Sequence, residues 1–138
     1  MHLVIDFQGL QKLKLSEIRG HYYVQLIKFI LFSSHHDVSI LLNGCLIDAI
    51  ELIKNELSEV LPQNNILIWY PPGSVNLEKE ANESNRFIAT LTLDVLIKKL
   101  QPDLIILTTL LDNYNCEIVT SVCSNVPTVL LTNELDEF

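Results

Sequence analysis

Five short runs rich in apolar residues recur along this chain, at 3–7, 38–42, 65–70, 104–108 and 128–131, and segments of helical periodicity separate the first four. That alternation constrains the fold severely. Two parallel strands can be joined only by a crossover long enough to carry the chain back to the same end of the sheet, and the crossover is usually a helix. Runs with no polar residue, such as Leu104-Ile105-Ile106-Leu107, predict strands covered on both faces. Helices are predicted over 20–33, 47–61 and 85–100, the first two as amphipathic crossovers. In the second, Ile50, Ile53, Leu57, Val60 and Leu61 share one face, while Glu51, Lys54, Asn55 and Glu59 lie elsewhere. The third is expected to bury Ile88, Leu91, Val95 and Leu96 and to stop before Pro102. The predicted class is α/β: a Rossmann-like three-layer sandwich, with a mostly parallel sheet of about five strands and helices on both faces.

A chain of 138 residues suits one domain, 1–138, with a real core. Apolar residues make up 49% of it, which argues against disorder, yet no apolar run reaches the roughly 20 residues that a membrane helix needs. The stretch from Val24 to Phe32 is interrupted by Gln25 and Lys28, and no basic segment precedes it, so a signal peptide or anchor is not expected and the cytoplasm is the default location. The formal charge of −8 disfavours nucleic acid and anionic lipid as partners. Cys45, Cys116 and Cys123 form no C-x-x-C pair and read as reduced, structural or incidental thiols, so no metal site follows from them.

Ligands of open α/β sheets bind outside the carboxyl ends of the strands. Two segments fall there. After the first strand, Gln8 and Gly9 let the backbone turn closely, and Arg19-Gly20-His21 offer a guanidinium, an imidazole and helix N–H groups to an anion such as a phosphate or carboxylate. The plainer reading pairs Arg19 with Glu17 or another surface acid, leaves His21 as a solvated first-turn residue and makes Gly9 an ordinary turn. After the fourth strand, Thr108, Thr109 and Asp112 supply hydroxyls and a carboxylate suited to sugar hydroxyls; equally, they satisfy local backbone groups. His35-His36-Asp37 precedes the second strand, at the opposite edge, and reads as a polar turn. Trp69 and Tyr70 are core or rim aromatics with the capacity to stack on a sugar or base. Tyr70-Pro71-Pro72-Gly73-Ser74 opens a long polar connection, the strongest loop signal in the chain. Neither G-x-G-x-x-G nor a P-loop is present, and no Ser-His-Asp or Cys-His constellation can be assembled from spacing.

Several of these segments together resemble the amino-terminal domain of family 4 glycosyltransferases of the GT-B fold, in particular the bacterial group, mannosyltransferases among them, that builds cell-surface polysaccharides. Val4-Ile5-Asp6-Phe7-Gln8-Gly9-Leu10-Gln11 is similar to the family's opening strand and loop, and Arg19-Gly20-His21-Tyr22-Tyr23 to its R-G-I-G-R-Y segment, without the second glycine. Leu41-Leu42-Asn43-Gly44, Ile68-Trp69-Tyr70-Pro71-Pro72-Gly73, Gln101-Pro102-Asp103-Leu104 with Thr108-Thr109-Leu110-Leu111-Asp112, Val119-Thr120-Ser121-Val122 and Pro127-Thr128 follow in the family's order. Where the family continues D-L-I-P, this chain has Asn133-Glu134-Leu135-Asp136.

The resemblance implies the acceptor-binding half of a retaining enzyme that moves a sugar from a nucleotide-sugar donor to a glycan acceptor. Gln8, Gly9, Arg19, Gly20 and His21 would line the interdomain cleft, and Thr108, Thr109 and Asp112 would position the acceptor. It implies no bound metal or other cofactor, and a donor-binding second domain to which nothing in this sequence corresponds. This chain alone is therefore not expected to turn over. It is also compatible with peripheral membrane association of the full enzyme. Two other readings stay open. Asp6 at a strand end, with Asp112 later, would suit a metal-dependent nuclease of PIN or NYN type. A catalytically empty, free-standing binding domain is the other.

Overall fold

The computed structural model describes residues 1–33, 36–70, 83–108 and 126–130. Its described strands are β1 (His2–Asp6), β2 (Asp37–Asn43), β3 (Ile66–Trp69), β4 (Leu104–Leu107) and β5 (Thr128–Leu130). They form one all-parallel sheet in the order β3-β2-β1-β4-β5, so the fold is the α/β, Rossmann-like arrangement. The helices are α1 (Gln8–Gln11), α2 (Leu15–Ile18), α3 (Tyr22–Ser33), α4 (Ile47–Leu57) and α5 (Glu83–Leu100), with a turn of 3-10 helix at Gln63–Asn65 before β3.

Side chains alternate across a strand, and the core divides accordingly. Leu3 and Ile5 of β1 join Val38, Ile40 and Leu42 of β2 on one face, against Leu10, Ile18, Val24, Ile27, Ile50, Ile53 and Leu57 of α1 to α4. Val4, Leu41, Ile105 and Leu107 face the other way, against Leu93 and Ile97 of α5. The chain thus builds β1, β2 and β3 outward with helices on one face, then carries α5 across the opposite face to start β4 beside β1. The direction of sheet growth reverses between β1 and β4, where Asp6 is paired with Leu107. This is the topological switch point, where the carboxyl ends of neighbouring strands diverge to leave room for a ligand.

The opposite, amino-terminal edge is fastened by His2. Its main-chain N–H donates to Asp103 Oδ2 (2.7 Å), and the Asp103 N–H returns a bond to the His2 carbonyl (2.8 Å). The ring Nδ1–H donates to the Leu100 carbonyl (2.8 Å), which leaves Nε2 to accept the Ser39 hydroxyl (2.9 Å). The Gln101-Pro102-Asp103 segment is therefore a structural clasp between α5 and β1, remote from the carboxyl edge. His36 is exposed at the same edge, Asp37 opens β2, and His35 lies outside the described residues.

Four details differ from the sequence reading. The crossover after β1 contains two extra helical turns, α1 and α2, and α3 begins at Tyr22 rather than at Gly20. In α5, Leu96 packs partly buried against the core as expected, but Leu93 and Ile97 are its buried residues while Leu91 and Val95 are exposed, and the Ile88 side chain is outside the description. Apolar residues lie on nearly every side of this helix, so two stripes competed and periodicity alone could not choose between them. Helix α3 is not amphipathic: Val24 and Ile27 face the core, but Leu26, Phe29 and Phe32 face outward. Finally, β5 is not covered on both faces, because Thr128 and Val129 are exposed.

Candidate functional site

At the carboxyl edge the ends of three strands and the first helical turn share a buried polar network. Asp6, Gln8, Gln11, Asn43 and Thr108 are each at least about 95% buried. Gln8 Nε2 donates to Asp6 Oδ1 (3.1 Å), and Asn43 Nδ2 donates to Gln8 Oε1 (2.9 Å). The Asn43 Oδ1 accepts the Cys45 N–H (2.9 Å). Gln11 grips the same strand end from the other side: its Oε1 accepts the Asn43 N–H (2.9 Å), and its Nε2 donates to the carbonyls of Asn43 (3.0 Å) and Leu46 (3.4 Å). Thr108 Oγ1 donates to the Asp6 carbonyl (2.7 Å) and so extends the pairing of β1 with β4 by one side-chain bond.

This geometry follows from the local sequence. Strand β1 ends at Asp6, and Phe7 turns directly into α1, which holds Gln8 and Gln11 one turn apart on a common face. Both carboxamides then meet the end of β2 in the adjacent register position, since Asp6 pairs with Leu41 and Asn43 lies two residues further on. A buried carboxamide needs both donor and acceptor partners, and here each finds them.

One group is left over. Asp6 Oδ2 has no hydrogen-bond partner among the described residues. Burial pushes this carboxyl up to about 6, against the opposing pull of the side-chain and backbone bonds from Gln8 and of the nearby Lys12 charge. Near neutrality Asp6 is thus a desolvated carboxylate held by an amide.

Beside the network, Gln11, Cys45, Leu46, Ile47, Asp48 and Ala49 line a hollow of about 270 Å³ at the start of α4. Leu46 gives α4 no side-chain cap, and Asp48 in the first turn is exposed. The walls are mixed: the Gln11 carboxamide and the Asp48 carboxylate stand among the Cys45 thiol and the apolar Leu46, Ile47 and Ala49, and no cation faces them. That is a lining for a hydroxyl-rich neutral ligand better than for an anion. Compared with family models, curated proteins and solved structures, the chain matches none.

Of the residues expected at the site, Gln8 and Thr108 belong to the network, but as its buried floor. The Thr108 hydroxyl spends its proton on the Asp6 carbonyl rather than facing outward. Gly9 sits inside α1, not in a turn. Arg19 is highly exposed and pairs through Nε with an acid other than Glu17, Glu56 Oε1 of α4 (3.4 Å), in line with the plainer reading. The same Glu56 receives Lys28 of α3 (3.3 Å). Arg19 also borders a groove with Leu15, Ser16 and Leu52, on the α2–α4 side. Gly20 adopts φ +80°, the left-handed region that favours glycine, and turns the chain from α2 into α3. The His21 ring stacks on Tyr22, and partial burial lowers its pKa despite Glu17, so it is a neutral hydrogen-bonding group at neutral pH and not a cation for a phosphate. Thr109 and Asp112 lie outside the described residues.

Asn43 and Gln11 are central to the network and absent from the sequence-based list of site residues. Their signals were available: Asn43 ends the most completely buried strand, and Gln11 repeats Gln8 at helical spacing. Trp69 is core and Tyr70 is rim, its ring lying over Gly44, where a Cβ would collide with it. Cys45 is half-buried outside any disulfide, and Cys116 and Cys123 are outside the described residues. Among the described residues no group of three or more His, Cys, Asp or Glu could hold a metal, and no helix is long and apolar enough to cross a membrane.

Proposed function

We propose that this chain is the acceptor-side domain of a retaining glycosyltransferase, binding a glycan at the carboxyl edge of its sheet while a donor-binding domain supplies the nucleotide sugar. The observation that carries this reading is the carboxamide-rich network of Asp6, Gln8, Gln11 and Asn43 at the strand ends, beside a hollow whose walls combine a carboxamide and a carboxylate with apolar side chains and hold no cation. Sugar hydroxyls are recognised by planar amides, carboxylates and backbone groups that donate and accept at fixed angles. The segments that resemble family 4 enzymes supply Asp6, Gln8, Gln11 and Asn43, and the same segments end β1 and β2. In this reading Gln8 and Thr108 hold the floor, Gln11 and Asp48 contact the acceptor, and catalysis rests on positioning the acceptor against a leaving phosphate. Arg19 reaches a phosphate only by exchanging Glu56 for it, whereas Lys12, directly after α1, is the cation nearest this turn in sequence.

Amide-resolved NMR titration of the 138-residue chain with α-mannobiose tests the proposal. Saccharide should shift the amides of residues 8–11 and 45–49, and Asp48→Ala should weaken binding by roughly tenfold, the value of one charge-assisted hydrogen bond. GDP-mannose should add no shifts beyond those of its sugar. An absence of saccharide shifts would count against the reading, and tight binding of the nucleotide portion would reassign the site to a donor. Cleavage of RNA that requires magnesium or manganese and is lost in Asp6→Asn would replace it with the nuclease reading.

A further inference from the structure

The face of α3 turned away from the core is the most anomalous surface of the described molecule. Phe32 is 85% exposed, Phe29 68%, Tyr22 49% and Leu26 36%. At spacings of four, three and three residues they form one stripe along the helix. The helix carries no acidic residue, although acids outnumber bases by seventeen to nine in the chain, and its one charge, Lys28, is paired with Glu56. A helix that is apolar on its outer face as well as its inner one requires a second cover.

We propose that this stripe is the self-association surface of the chain, with α3 packing against α3 of a second copy about a two-fold axis. Area supports it. Weighted by their exposures, and taking about 150 to 250 Å² for each aromatic, the four side chains present roughly 450 Å² of apolar surface. Two copies together supply about 900 Å², the apolar share of an interface burying about 1,200 to 2,000 Å² in total. Charge supports it as well: two molecules of net charge −8 can approach most closely through the face that contains no carboxylate. An isologous contact also needs only one patch, which must be complementary to itself, as an uncharged face of aromatic and aliphatic side chains with one carboxamide, Gln25, is.

The competing covers are less suitable. A domain facing the carboxyl edge would meet the start of α3, whereas Phe29 and Phe32 lie about 10 and 15 Å further along the helix, toward the amino edge. An anionic bilayer would be repelled by the overall charge.

Sedimentation velocity on the 138-residue chain across a range of concentrations decides the matter. The weight-average mass should rise from 15.7 kDa toward twice that value. The double variant Phe29→Asp with Phe32→Asp should remain monomeric at every concentration while keeping the wild-type far-UV circular dichroism. The milder Phe32→Gln, at the most exposed position, should weaken dimerisation by roughly tenfold or more. Val95→Asp, on the exposed side of α5, should leave the dimer intact. A wild-type chain that stays monomeric throughout overturns the proposal, as does a dimer that survives both the double variant and Phe32→Gln. A monomer that co-floats with phosphatidylcholine vesicles overturns it in favour of a lipid surface.

Discussion

Asp6 is the least comfortable side chain in the described structure. One oxygen accepts from Gln8, the other is buried with no partner, and the carboxyl is pushed up to about 6. A folded-state pKa above the ordinary value of 3.8 means that the folded chain binds the proton more tightly than the unfolded one. The stabilisation is therefore complete below about 4 and is lost as the pH rises through about 6. Asp6→Asn keeps the acceptor for Gln8 and removes the charge, so it should raise stability at pH 7.5 by about 2 to 3 kcal/mol, the equivalent of two pKa units, with the advantage vanishing near pH 4. Urea unfolding of both proteins across this range measures the difference. The sequence made Asp6, Gln8 and Thr108 legible as residues at strand ends, because strand length and order of elements place them there. It could not reveal that Gln8 points inward, nor that Asn43 and Gln11 complete the network, since a carboxamide in an apolar context announces a partner without naming it.

Secondary structure was legible where one physical signal dominated and ambiguous where two competed. The strands emerged within a residue or two because branched apolar runs bounded by polar residues have no helical alternative of that length. The face of α5 was misjudged because Leu91 and Val95 compete with Leu93 and Ile97 for the sheet. The end of that helix carries a local conflict of its own. Gln101 sits at φ 51°, with its N–H bonded to the Ile97 carbonyl (3.0 Å), in the left-handed position that closes many helices. Glycine adopts this conformation without the steric cost of a Cβ. Gln101→Gly should accordingly stabilise the chain by about 0.5 to 1 kcal/mol, read as a higher urea midpoint with an unchanged slope. Gly20, at φ +80° with open space around it, is the converse case: Gly20→Ala should cost about 1 kcal/mol through backbone strain alone.

The molecule as a whole is organised outward from β1, which is paired on both sides, covered on both faces, clasped at its start by His2 and tied at its end by Thr108. Cooperative opening should begin at the periphery of such a structure. Hydrogen exchange is expected to be slowest at Val4, Ile5, Leu41 and Ile106 and fastest, among the described strands, at Val129 in exposed β5; comparable protection at Val129 would show that β5 is covered in solution. The α/β class was readable in advance because only a parallel sheet accommodates so regular an alternation of strand and helix. The placement of the site at the ends of β1 and β2, next to the β1/β4 junction, required the strand order, which no local pattern encodes. Position 6 carries a last implication, for anyone redesigning this scaffold. A procedure that rewards robustness alone would replace the aspartate at once, and the more durable protein it produced would have lost a charged group embedded at the seam of the sheet. Libraries built on this chain should hold that position fixed.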